Sequence, residues 1–201
     1  NTAVRYFASG EEKFEELKKQ LRSAEAYIFM EYFIVEKGIM WNEVLDILKE
    51  KVWQGVDVRF IYDGMCSMYC LPYHYDRELK RAGIKCKQFS PIRPVLSSYQ
   101  NNRDHRKICV IDGKVAFTGG INLADEYINQ KERFGHWKDT AIMIEGEAVQ
   151  SFTMMFLQMW NISEKRPEDY TKYLTPKNPV VKRELGFVLP YADSPFDREN
   201  I

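Results

Sequence analysis

"DHRKICVIDGKVAFTGGIN", residues 104–122, joins an alternating run, a turn dipeptide and a glycine pair. Residues 105–111 alternate as a strand does. His105, Lys107, Cys109 and Ile111 share one face, and Ile108 and Val110 take the other. Asp112-Gly113 is a strong two-residue hairpin signal, and "KVAFT" (114–118) is the expected return strand. A hairpin of this kind needs a larger sheet to bury it.

The flanking sequence supplies that sheet. "AVRYF" (3–7), "YIFMEYFIV" (27–35), "VDVRFIYD" (56–63), "IKCKQF" (84–89) and "HWKDTAIMIEG" (136–146) read as strands. Between and after them run helical patterns at 11–24, 40–55, 75–83 and 147–163. Ser9 is placed to cap the first helix, and Gly55 and Gly83 to stop the second and third. In the last helix Val149, Phe152, Phe156 and Met159 or Trp160 form one apolar stripe, read as core. The alternation predicts an α/β fold: a mixed β-sheet flanked by helices on both faces.

The domain is expected to span 1–163. Residues 164–185, charged and proline-bearing, read as a linker. "LGFVLPYADSP" then resembles the first strand of something new, so 164–201 is assigned to a linker and the truncated start of a second unit. "SPIRPVLSSYQNNRD" (90–104) reads as a long loop running into the motif.

Composition narrows the function. Lys plus Arg equals Asp plus Glu, at 29 each, so no global field gathers nucleic acid, and none is expected as a partner. The most apolar run, residues 26–35, is too short to span a bilayer and contains Glu31. The four cysteines do not form the framework of a small secreted protein. Cys66, Cys70 and His74 are spaced four apart, but Pro72 interrupts them, and no fourth ligand for zinc is evident.

Strand parity lets His105 and Lys107 point at one substrate and sends Asp112 elsewhere, to hold the turn or pair with a cation. Asn122 precedes "LADEYIN", with Asp125 three residues on, so it reads as a helix cap and, alternatively, as an amide donor to a phosphate oxygen. A neutral imidazole can attack phosphorus, and a lysine can neutralise the non-bridging oxygens. A second histidine would have to protonate the leaving alcohol, and a carboxylate to fix the attacking ring's tautomer. No metal or other cofactor is required.

The whole pattern, H-x-K-x4-D-x6-G-x-x-N at His105, Lys107, Asp112, Gly119 and Asn122, resembles the signature of the phospholipase D superfamily. The flanks "WKDTAIMIEGEAV" and "FLQMWN" resemble the first catalytic repeat of its bacterial cardiolipin synthase branch, and Gly120, where a serine is common in the superfamily, suits that branch. The resemblance implies catalytic positions at His105, Lys107, Asp112, Asn122 and Asp139, and substrate contacts from Lys107, Asn122, Gly119 and Gly120. His105 would be nucleophile or partner acid, and Asp139 the carboxylate that orients the histidine.

It further implies a phosphatidyltransferase that condenses two phosphatidylglycerols into cardiolipin and glycerol. The expected partners are phosphatidylglycerol, membrane phospholipid and a second catalytic repeat, on the same chain or in a homodimer. The expected place is the cytoplasmic side of a bacterial cell membrane, with this stretch itself soluble. A superfamily nuclease and a non-catalytic phospholipid-binding module are the rival readings.

Overall fold

A computed structural model describes residues 2–65, 69–91, 103–162, 164, 166, 168–174 and 187–191. Its strands are β1 (Thr2–Phe7), β2 (Tyr27–Tyr32), β3 (Asp57–Asp63), β4 (Lys85–Phe89), β5 (Ile108–Ile111), β6 (Val115–Gly119) and β7 (Ala141–Gly146). Among the described residues they form one seven-stranded sheet in the order β1-β7-β6-β5-β2-β3-β4. β2, β3 and β4 run parallel, and the other neighbours pair antiparallel. The sheet is therefore mixed, as the sequence predicts.

Every residue of the interior strand β2 is buried, because both faces of the sheet are covered. Ile28, Met30 and Tyr32 face one core, together with Cys109 and Ile111 of β5. The helices α1 (Gly10–Arg22), α2 (Ile39–Trp53) and α3 (Tyr75–Arg81) pack on this side. Tyr27 and Phe29 face the other core with Ile108 and Val110, under α4 (Val149–Asn161). The stripe Val149, Phe152, Phe156, Met159 and Trp160 is buried there, so it is core.

Local signals act as their chemistry dictates. Ser9 accepts a hydrogen bond from Glu12 N at the start of α1. The hairpin turn places both Asp112 and Gly113 at positive φ, the geometry that matches strand twist. α2 is capped from outside, since Asp125 accepts from Ile39 N and Met40 N at 2.9 Å each.

Three boundaries differ from the sequence reading. β5 begins at Ile108, so His105 and Lys107 precede the strand instead of lying in it. β7 begins at Ala141, opposite the last residue of β6, leaving 136–140 without a ladder partner. Within the stretch read as a linker, a short helix α5 (Thr171–Leu174) sits on the domain. Tyr173 is buried against Tyr27 and Phe29, and Glu168 Oε2 accepts from Arg59 Nη1 at 2.6 Å. Residues 92–102 of the long loop, 175–186 of the linker and 192–201 of the new unit lie outside the described residues, as does Cys66 of the spaced cysteines. Cys70 is a half-buried free thiol, and the His74 ring lies against Tyr73.

Candidate active site

The pairing registers bring one set of strand ends together. Glu31, near the end of β2, pairs with Ile61 and with Ile108 at the start of β5. Ile108 pairs with Thr118, and Gly119 with Ala141. The segment 103–107, the Gly119-Gly120 turn and the approach to β7 therefore share one end of the sheet. This is the end where the parallel strands finish, the usual place for sites in such sheets.

His105 and Lys107 meet there. Lys107 Nζ lies 3.1 Å from His105 Nδ1 and 3.2 Å from Nε2, and it donates to the His105 carbonyl at 2.6 Å. The His105 side chain is exposed, while Lys107 is buried. The Phe33 ring sits 4.9 Å from the imidazole. Burial first, and then the Lys107 charge, lower the His105 pKa below its ordinary 6.5. Burial also brings Lys107 down to about 8, against the opposing pull of Asp104 and Asp139. A neutral imidazole beside a single ammonium group is the result at neutral pH. The pair opens on a cavity of about 180 Å³ whose far wall is Phe152 and Met155, with Thr118, Gly119 and Tyr191 at its sides.

Asp112 lies at the other end of β5, roughly 17 Å from Lys107 along the chain at about 3.3 Å per residue. Its Oδ2 accepts from Glu25 N, and its Oδ1 from Ala26 N and Tyr27 N, at 2.8–2.9 Å. The carboxylate ties the hairpin to the start of β2 and does not reach His105 or Lys107.

Asn122 is buried and does not cap a helix. The following turn is a 3-10 helix, Asp125–Ile128, preceded by Ala124. Asn122 Oδ1 instead accepts from Ile34 N at 2.9 Å, and its Nδ2 donates to the Tyr127 hydroxyl at 2.8 Å. The amide thus straps the glycine turn to the chain leaving β2.

Asp139 is half-buried beside that turn. Its Oδ1 accepts from Thr140 N at 2.7 Å, and no hydrogen bond joins it to His105 among the described residues. A Cβ on Gly120 would collide with the Asp139 carboxylate, so a glycine is needed where the carboxylate lies this close.

Beneath the pair lies a cluster that the sequence reading did not find. Glu31, Asp63 and Asp104 are buried, with Arg103 and Arg106 between them. Arg106 Nε is 2.6 Å from Glu31 Oε1 and 3.3 Å from Asp104 Oδ1. Asp63 accepts from Asp104 N at 3.1 Å and from Arg103 Nη1 at 3.3 Å. Burial, and then the Asp104 charge, push Glu31 well above the ordinary carboxyl range. The available signal was Glu31 itself, an acid inside an apolar strand pattern.

Comparison with known proteins adds the family. Residues 17–160 match the family described as "Cardiolipin synthase, PLD-like domain". The chain belongs to this family. Its cardiolipin synthase relatives include that of Geobacillus kaustophilus, 45% identical over 195 residues, and that of Alkalihalophilus pseudofirmus, 38% identical over 187. These alignments cover 96% and 92% of this chain but only 38% and 37% of the relatives. An uncharacterised protein of Streptococcus mutans is 58% identical over all 201 residues, which make up 43% of it. The chain thus spans less than half the length of these relatives.

Among solved structures, NucT from Helicobacter pylori is similar in fold, with a TM-score of 0.62 at 13% identity, covering 80% of this chain and 97% of that one. The phosphatidylserine synthase of Haemophilus influenzae gives 0.60 at 16%, covering 88% and 40%. At these identities the likeness is one of fold.

Proposed function

We propose that this domain supplies half of the active site of a phosphatidyltransferase that joins two phosphatidylglycerols into cardiolipin and releases glycerol. The observation that carries the reading is the His105–Lys107 pair, with the ammonium group 3.1–3.2 Å from both ring nitrogens at the mouth of an open cavity. A ring nitrogen of His105 attacks phosphorus, a P–N bond forms, and the P–O bond to glycerol breaks. Lys107 neutralises the non-bridging oxygens as their charge builds. A second histidine protonates the departing glycerol. It then takes the proton from a hydroxyl of the second phosphatidylglycerol, whose oxygen displaces His105 and completes cardiolipin.

The described residues bring one such pair to this site, so the acid comes from a facing copy of the motif, in a longer chain or in a second molecule. Microscopic symmetry allows His105 to be that acid instead. Asn122 holds the glycine turn, and Gly119 and Gly120 let that turn pack closely against residues 139–141 beside the phosphate site. Asp139, not engaged with His105, is placed to orient a histidine presented from the facing copy. Asp112 acts through the fold alone. The apolar wall of Phe152 and Met155 beside a cationic rim suits an anionic lipid headgroup better than a nucleic-acid backbone. The catalytic end would work at the cytoplasmic surface of a bacterial membrane. Among the described residues no helix is long and apolar enough to cross one.

The test is to give the full-length protein phosphatidylglycerol vesicles, and separately single- and double-stranded DNA. Cardiolipin and glycerol in equal amounts, with intact DNA, are expected. Cut DNA without lipid turnover would establish the nuclease reading. Vesicle binding without either product would establish a binding module.

A further inference from the structure

His105 and Lys107 lie outside the ladder, on a segment that makes no strand pairing. What fixes it is the charged network of its neighbours. Arg103 donates to the Ser90 carbonyl at 2.9 Å and to Asp63. Asp104 N donates to Asp63, and Arg106 runs under the segment to Glu31. Glu31 is fully buried in β2, and its link to Arg106 is an ion pair: both of its carboxylate oxygens, like Oδ2 of Asp104, have no hydrogen-bond partner among the described residues. Three acids face two arginines here, and burial with the Asp104 charge favours the protonated form of Glu31. A buried ionic group of this kind is weak as a source of stability. Its geometric effect is strong, because Arg106 stands between the two residues that must meet one phosphate.

We propose that Glu31 is a positioning residue for the transfer reaction: through Arg106 it sets where His105 and Lys107 stand relative to one phosphate. This rests on the phosphatidyltransferase reading. Glu31 touches no reacting atom. Its removal would leave the cavity and the lysine charge in place but let the segment shift. Misplacement of reacting groups by about 1 Å costs roughly 10²-fold in turnover. The effect belongs in kcat, with KM little changed.

Three variants of the full-length protein separate positioning from stability. Glu31→Gln keeps the volume, an acceptor for Arg106 and a donor for Asp104, and is expected to hold kcat within about threefold of the parent. Glu31→Leu strands Arg106 beside Asp104 and is expected to lose both stability and turnover. Glu31→Leu combined with Arg106→Met replaces the pair by apolar side chains of similar size, which typically restores stability. That double variant is expected to unfold near the parent's midpoint yet remain at least about tenfold low in kcat, with KM within about threefold.

The His105 ring is followed in parallel by NMR of histidine-labelled protein. This chain contributes His74, His105 and His136, and His105→Ala assigns the signal. A changed His105 ring shift and titration midpoint in the double variant supports the proposal. Parent-like kcat and an unmoved His105 signal in a stable double variant overturn it. If the parent itself turns over no phosphatidylglycerol, the functional reading fails, and the NMR arm alone decides the positioning role.

Discussion

At the residue scale, the pair of His105 and Lys107 was legible from spacing alone, because an i, i+2 relation keeps two side chains on one side of an extended chain. What spacing could not show is that both groups are pushed toward their neutral forms. In the proposed reaction His105 is uncharged to attack, and Lys107 is charged to hold the phosphate. The acid limb of kcat/KM should therefore fall as His105 takes a proton, with a midpoint below the ordinary 6.5. The alkaline limb should fall as Lys107 loses its proton, near 8. The two groups interact, so the midpoints belong to the pair. A kcat/KM profile that keeps rising from pH 8 to pH 10 would remove Lys107 from its assigned role. The buried acids were not legible, since Glu31, Asp63 and Asp104 come from separate parts of the chain and meet only in the folded sheet.

At the scale of elements, period and turn chemistry placed the strands, and the hairpin turn fell where Asp112-Gly113 put it. The ends were less legible. The strand pattern running through 105–111 is cut short because Asp104 and Arg106 turn inward to buried charges, which a pattern of alternation does not encode. Asp112 shows how a motif residue can serve an element. Asp112→Ala orphans three backbone N–H groups and should cost about 3–5 kcal/mol in urea unfolding. The folded fraction should keep parent-like turnover. A large loss of kcat in fully folded Asp112→Ala would contradict the structural role.

Lys13 tests burial in the opposite direction. It sits inside the core under α1 with one hydrogen bond, to the Tyr32 hydroxyl at 3.2 Å. Burial lowers its pKa from 10.5 to about 8. The unfolded chain binds that proton more tightly, so the charge costs stability below pH 8, and the cost fades as pH rises from 8 to 10.5. Lys13→Met should raise the thermal midpoint at pH 7, through a gain in stability of about 2 kcal/mol once the lost hydrogen bond is counted. The advantage should shrink by pH 10. A lower midpoint at pH 7 would mean that the ammonium group stabilises the core.

At the scale of the whole molecule, the sheet with its two covered faces has its own core on each side. This chain should therefore unfold cooperatively by itself. Its chemistry is different, because one pair offers a nucleophile or an acid but not both. The isolated chain as a monomer should form no cardiolipin, and turnover confined to a dimer would mean that two copies of His105 can serve each other. The family was legible in the motif and its flanks, and the facing copy of the motif that the resemblance implies belongs to the proposal.

The most direct measurement compares cardiolipin formation by the full-length protein and by its His105→Ala variant, on phosphatidylglycerol vesicles, with thermal midpoints recorded for both. The account predicts equal midpoints, because the ring is exposed and packs little, and a loss of at least about 10²-fold in the variant. A folded His105→Ala variant that retains more than about a tenth of the parent's turnover would contradict it.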